Sequence, residues 1–129
     1  MRKLASGAVV WVMMAGMALA DPVFGTWRSE PLDNGDSGTV IFSQCGAHIC
    51  GRIGQSFHAD GKAFKSKNTG KNVVWDMSPN GGGKYSGGKI WDPAKDKVYK
   101  SKMKLSGKSL KVSGCIGPIC RGQTWQRVK

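Results

Sequence analysis

With 129 residues, 20 lysines and arginines and only 8 aspartates and glutamates, the chain carries a formal net charge of +12 at pH 7. The length limits it to one domain, and after the amino-terminal leader no apolar run is long enough to span a bilayer. The charge draws the protein towards anionic surfaces, envelope polymers, nucleic acid or acidic proteins, and it also serves plain solubility.

Arg2 and Lys3 precede an apolar run from Leu4 to Leu19, and Ala18-Leu19-Ala20 places small residues at alternate positions, as a signal peptidase requires. The run is interrupted by Ser6 and Gly7 and is short for a membrane anchor. The sequence therefore predicts a signal peptide over residues 1–20 and a single domain over 21–129, periplasmic or secreted. Loss of Arg2 and Lys3 with the leader lowers the net charge from +12 to +10.

Phe24-Gly25-Thr26-Trp27-Arg28 reads as the first strand, ended by Pro31 and the turn cluster Asp33-Asn34-Gly35-Asp36. Thr39 to Gln44 and Ile49 to Gln55 form a hairpin around Cys45 and Cys50. From Ser56 to Asn72 alternation is lost and four lysines and two glycines enter, which predicts a long exposed connection. Val73, Trp75 and Met77 then alternate with Val74 and Asp76, predicting a half-buried strand closed by Ser78-Pro79-Asn80 and three glycines. Tyr85 to Trp91 is the next strand, turned by Asp92 to Asp96. Lys97 to Leu105 follows, with Tyr99, Ser101, Met103 and Leu105 on one face and Lys100, Lys102 and Lys104 on the other. Ser106-Gly107-Lys108 leads into a closing hairpin in which Leu110 and Val112 alternate with Lys111 and Ser113 before Gly117-Pro118.

This pattern predicts an all-β domain of about eight short strands, an antiparallel barrel or sandwich. Its Trp, Phe, Ile and Met side chains are bulky enough to fill a small barrel, so any cavity is expected to be small.

Cys45 and Cys50 flank one turn and Cys115 and Cys120 another, both with four intervening residues. In an oxidising compartment this reads as two disulfides, and hairpin geometry favours the local pairing over crossed bridges. Each short ring would contribute roughly 2 kcal/mol by loop entropy. A four-cysteine zinc site is the rival, disfavoured by the spacing and by export.

Gly25-Thr26-Trp27, Cys45 with Cys50-Gly51-Arg52-Ile53, Gly87-Gly88-Lys89-Ile90-Trp91-Asp92-Pro93, Lys97-Val98-Tyr99, Leu110 to Cys115 and Gln123 to Val128 follow one another along the chain. In these elements the chain resembles the exported bacterial proteins grouped as domain of unknown function 2147. The resemblance implies a lipocalin-like β-barrel of unassigned activity and no catalytic residues. Much of that family carries an Asp, Asn-Pro and Arg set in the middle connection. Here Ser56 to Asn72 offers only Asp60 and Asn68. A looser similarity to lipocalins implies that Trp27 on the first strand meets Arg127 from the last. A guanidinium over an indole would close one end of the barrel with about 0.5 to 2 kcal/mol of attraction, a structural role.

No catalytic constellation stands out. His48 and His58 have no second ligand at metal spacing and read as solvated loop residues, so no metal and no cofactor are predicted. Asp33, Asp36, Asp92 and Asp96 sit in turns where Asp is expected for backbone reasons. The cysteines are not in C-x-x-C form, and Gly81-Gly82-Gly83 and Gly87-Gly88 precede no helix that could cradle phosphate.

Lysine is the strongest surface signal: thirteen of the fifteen fall between Lys62 and Lys111. If Leu105 pairs with Leu110, Lys104 faces Lys111 directly, and like charges opposite one another destabilise a sheet unless an anion intervenes. Lys100, Lys102, Lys104 and Lys111 are thus the candidate anion-binding face. A solvated edge protected by lysine is the plainer reading. The sequence points to a non-enzymatic binding module whose partner is an anionic envelope polymer or an acidic protein. Specific nucleic-acid binding is not expected, since no aromatic platform is evident among those lysines. An inhibitor of a secreted or host enzyme is the alternative, and an envelope-polymer hydrolase a more distant one.

Overall fold

Short alternating segments separated by glycine turns can bury their apolar faces only by curling round one another, and closure leaves few bare edges. A computed structural model describes residues 20–129, so the predicted leader, apart from Ala20, lies outside the described residues. Nine strands follow in order: β1 Gly25–Arg28, β2 Ser37–Cys45, β3 His48–Phe57, β4 Ala63–Phe64, β5 Asn72–Gly81, β6 Lys84–Asp92, β7 Lys97–Ser106, β8 Ser109–Ile116 and β9 Ile119–Arg127. Their order in the sheet is β2-β1-β9-β8-β7-β6-β5-β3-β4, and β2 also pairs with β3. Eight strands therefore close an antiparallel barrel, with β4 an extra strand on the end of β3 through Ser56 opposite Phe64.

The interior is filled. Trp27, Phe42, Met77, Leu110 and Val74 are fully buried, with Tyr85, Met103, Val112 and Trp125 packed among them. Gly51 and Gly88 permit this density: a Cβ on Gly51 would come within 2.9 Å of Phe42 and Val40, and one on Gly88 within 2.7 Å of Met77.

One end of the barrel is sealed by the segment before β1. The Trp27 indole donates to the Val23 carbonyl at 2.9 Å, and the Arg127 guanidinium lies 4.3 Å from the Trp27 ring centroid. Arg127 also donates to the carbonyls of Phe24 and Pro22. Asp21 accepts from the Tyr85 hydroxyl at 2.6 Å and from the Val23 amide at 2.8 Å. Burial, reinforced by the bond to Asp21, pushes the Tyr85 phenol well above its ordinary range.

Both cysteine pairs are bonded within their own hairpins, Cys45 to Cys50 and Cys115 to Cys120, at Cα separations of 5.5 and 4.0 Å. The antiparallel register places them at opposite ends of the barrel, the first beside the sealed end.

The expected alternation fails in β5. Val74 and Met77 are fully buried, opposite Gly51 and Ile49, whereas Trp75 is half-exposed opposite Lys89. Asp76 at φ 57° and Gly87 at φ 79° both lie in the stretch between the Trp75–Lys89 and Ser78–Ser86 pairs, so both strands bulge there and each shifts register against its outer neighbour. Trp75 therefore does not share a buried face with Met77. The strand also runs on through Ser78-Pro79-Asn80 instead of ending there, and the middle connection is interrupted by β4.

Candidate anion-binding face

β7 points Ser101 and Met103 inward, both buried, and Lys100, Lys102 and Lys104 outward, all exposed. In β8, Leu110 and Val112 turn inward and Lys111 is exposed on the outer face, while Ser113, on the same face as Lys111, is buried. Leu105 does pair with Leu110, so Lys104 stands opposite Lys111. The register of β6 adds a residue the sequence reading missed: Lys84 pairs with Lys104. Lys84, Lys104 and Lys111 thus form a row across three strands, with about 4.8 Å between neighbouring strands. Finding Lys84 required the β6–β7 register, which the bulge between Tyr85 and Gly88 hides from simple counting.

Lys84, Lys102, Lys104 and Lys111, with Ser86 and Ser113, line a shallow outer depression of about 470 Å³. Lys104 donates to the Gly82 carbonyl at 3.3 Å, and Asn80 donates to Ser86 at 2.6 Å, which ties the β5–β6 turn to the rim. The Lys111 stem crosses Gly122, where an added Cβ would lie 2.9 Å from the Lys111 Cε. Glycine there gives Lys111 its path over β9. Among the described residues no carboxylate comes within 4.0 Å of these lysines.

Lys100 belongs to the same surface but not to the depression. It stands opposite Lys89 on one side and Cys115 on the other, one row further along. Lys89 in turn faces Trp75, so the lysine surface does have an aromatic neighbour, contrary to the sequence reading, and the β5 bulge is what turns it outward. A second depression of about 390 Å³ lies beside β4, lined by Gln55, Phe64, Lys65 and Thr69.

The histidines are more engaged than loop residues in free solvent. His48 shares a hydrogen bond with Ser78 at 3.0 Å, and His58 stacks on Phe64 at 4.0 Å while lying 3.5 Å from Asp36. Asp60 and Asn68 serve local turns: Asp60 accepts from the Lys62 amide and Asn68 from the Lys71 ammonium. Among the described residues no group of three His, Cys, Asp or Glu side chains could hold a metal ion.

Comparison with known proteins agrees with this architecture. The profile of a bacterial family described as uncharacterized proteins conserved in bacteria, domain of unknown function 2147, matches residues 25–127. A solved structure from the human pathogen Helicobacter pylori, described as belonging to the lipocalin family, superposes with a TM-score of 0.68 at 17% identity, covering 85% of each chain. No curated protein matches the sequence.

Proposed function

The chain belongs to the bacterial family of domain of unknown function 2147, which brings a fold and no activity, and from its own surface we propose that it is a non-enzymatic module binding an anionic polymer. A lipocalin-like barrel suggests binding, but in this chain Trp27, Phe42, Met77 and Leu110 occupy the interior. The outer face of β6, β7 and β8 is the more suitable surface. The two disulfides are consistent with work outside the cytoplasm, in the periplasm or beyond the cell.

One observation carries the reading: three lysines face one another across adjacent strands at the rim of a depression, with no carboxylate within 4.0 Å among the described residues. Cross-strand like charges cost stability in the free protein. A polyanion laid along the row converts that cost into binding, with Ser86 as a hydroxyl donor and Trp75 as a flat surface for a sugar ring. Carboxylate, sulfate and phosphodiester polymers share the required chemistry.

Retention on immobilised heparin and on an immobilised phosphodiester polymer tests the proposal. At physiological ionic strength screening acts over about 8 Å, so retention must weaken as salt rises. Lys102→Gln/Lys104→Gln should elute earlier and with a flatter salt dependence. Co-elution of this variant with wild type at every salt concentration would show that the lysines are only a solvated surface.

A further inference from the structure

The end of the barrel remote from Trp27 carries a feature the lysine face does not use. Ile116 and Ile119 are a cross-strand pair at the tip of the β8–β9 hairpin, joined by Gly117-Pro118. They are 69% and 67% exposed, the two most exposed large apolar side chains among the described residues. Directly behind them Cys115 pairs with Cys120 and is bonded to it. A hairpin whose last side chains pack on nothing would fray, and the disulfide keeps this one closed without any packing. The bond holds two isoleucines side by side in water.

We propose that this tip inserts into the interfacial region of an anionic lipid bilayer. The area available argues against a protein partner or a second copy, since one such turn buries on the order of a few hundred Å² against about 1,600 Å² in a standard interface. A bilayer demands no matching shape and accepts a small apolar wedge when cations accompany it. Arg121, exposed and opposite Gly114, lies two residues beyond Ile119 on the same side of the strand, and Lys100, also exposed, stands opposite Cys115. The nearby acids, Asp92 and Asp96, share their turn with Lys95 and Lys97, both exposed, which offset their charge. An inhibitory loop would instead present an extended segment to a cleft, whereas Ile116 and Ile119 are locked against each other in a tight turn.

Flotation with phosphatidylglycerol vesicles and with phosphatidylcholine vesicles tests this, using in every arm protein purified after export, the form from which the apolar leader is expected to have been cleaved. Ile116→Ser/Ile119→Ser should lower partitioning into phosphatidylglycerol vesicles at least tenfold at physiological salt. An Ile119→Trp variant should shift its emission to the blue with those vesicles and be quenched by brominated acyl chains. Lys102→Gln/Lys104→Gln should retain that shift, which separates tip insertion from the polymer-binding face. Equal partitioning of wild type and the serine variant would overturn the inference while leaving the lysine face standing. So would failure of wild type to bind, or concentration-dependent self-association abolished by the two serines.

Discussion

The sealed end of the barrel and the β6–β8 outer face treat charge in opposite ways. At the sealed end the charged side chains are partnered: Arg127 is stacked on Trp27 and bonded to two carbonyls, and Asp21 accepts from Tyr85 and Val23. Across the outer face Lys84, Lys104 and Lys111 confront one another, and among the described residues no carboxylate is in reach. The first arrangement is complete in the isolated protein and contributes stability. The second is incomplete, and a surface left in that condition is one on which a ligand can act.

The largest effect should come from breaking the complete side. Trp27→Ala removes a fully buried indole and should cost roughly 3 kcal/mol or more in urea melts. Arg127→Ala should cost less, about 1 to 3 kcal/mol, because it removes a stacking partner and orphans carbonyls that water can reach. The double variant should fall short of the sum, since the two side chains share one contact, and strict additivity would mean that the stack contributes nothing.

A pH-dependent effect comes next. Tyr85 holds its proton to higher pH when folded than its ordinary value of about 10 allows when unfolded. Above pH 10 the unfolded chain binds fewer protons than the folded one, so Tyr85 makes stability fall as pH rises. Tyr85→Phe should flatten that alkaline slope between pH 9 and pH 11 in parallel melts, and an unchanged slope would remove Tyr85 from the account.

The smallest stability effects belong to the outer face. Lys102→Gln/Lys104→Gln should alter stability by under about 0.5 kcal/mol, and any change should be towards greater stability at low salt. Gly122→Ala should cost somewhat more, because the added Cβ meets the buried Ser113 hydroxyl as closely as the flexible Lys111 stem, both at 2.9 Å, and it should re-aim Lys111 and weaken retention on the polyanion column. A large loss of stability in either variant would show that the face is built for the fold.

Much of this contrast was legible in the residues. Alternation located most strands, the repeated cysteine spacing gave two local bonds, and the Ser106-Gly107-Lys108 turn fixed the register that sets Lys104 against Lys111. What escaped was wherever period two breaks. The paired bulge at Asp76 and Gly87 reverses Trp75 and conceals Lys84, because a residue added to one strand changes every partner beyond it. Asp21 escaped for another reason: its partner Tyr85 is 64 residues away, and nothing local in either sequence announces the other.

The seam between β1 and β9 has a consequence for the order of events during synthesis. Trp27 meets Arg127, and Arg28 meets Gln126, while the Thr26 amide donates to the Lys129 carbonyl and the Thr26 carbonyl accepts from the Val128 amide. The strand that completes the ring is therefore the last of the nine to leave the ribosome. Until then β1 and β8 are bare edges, and the β2–β3 hairpin with its Cys45–Cys50 bond can form without committing the chain to a closed shape, whereas the Cys115–Cys120 bond waits for β9 itself. A nascent chain of this design stays open until its final strand arrives, and then closes on a strand made about a hundred residues earlier.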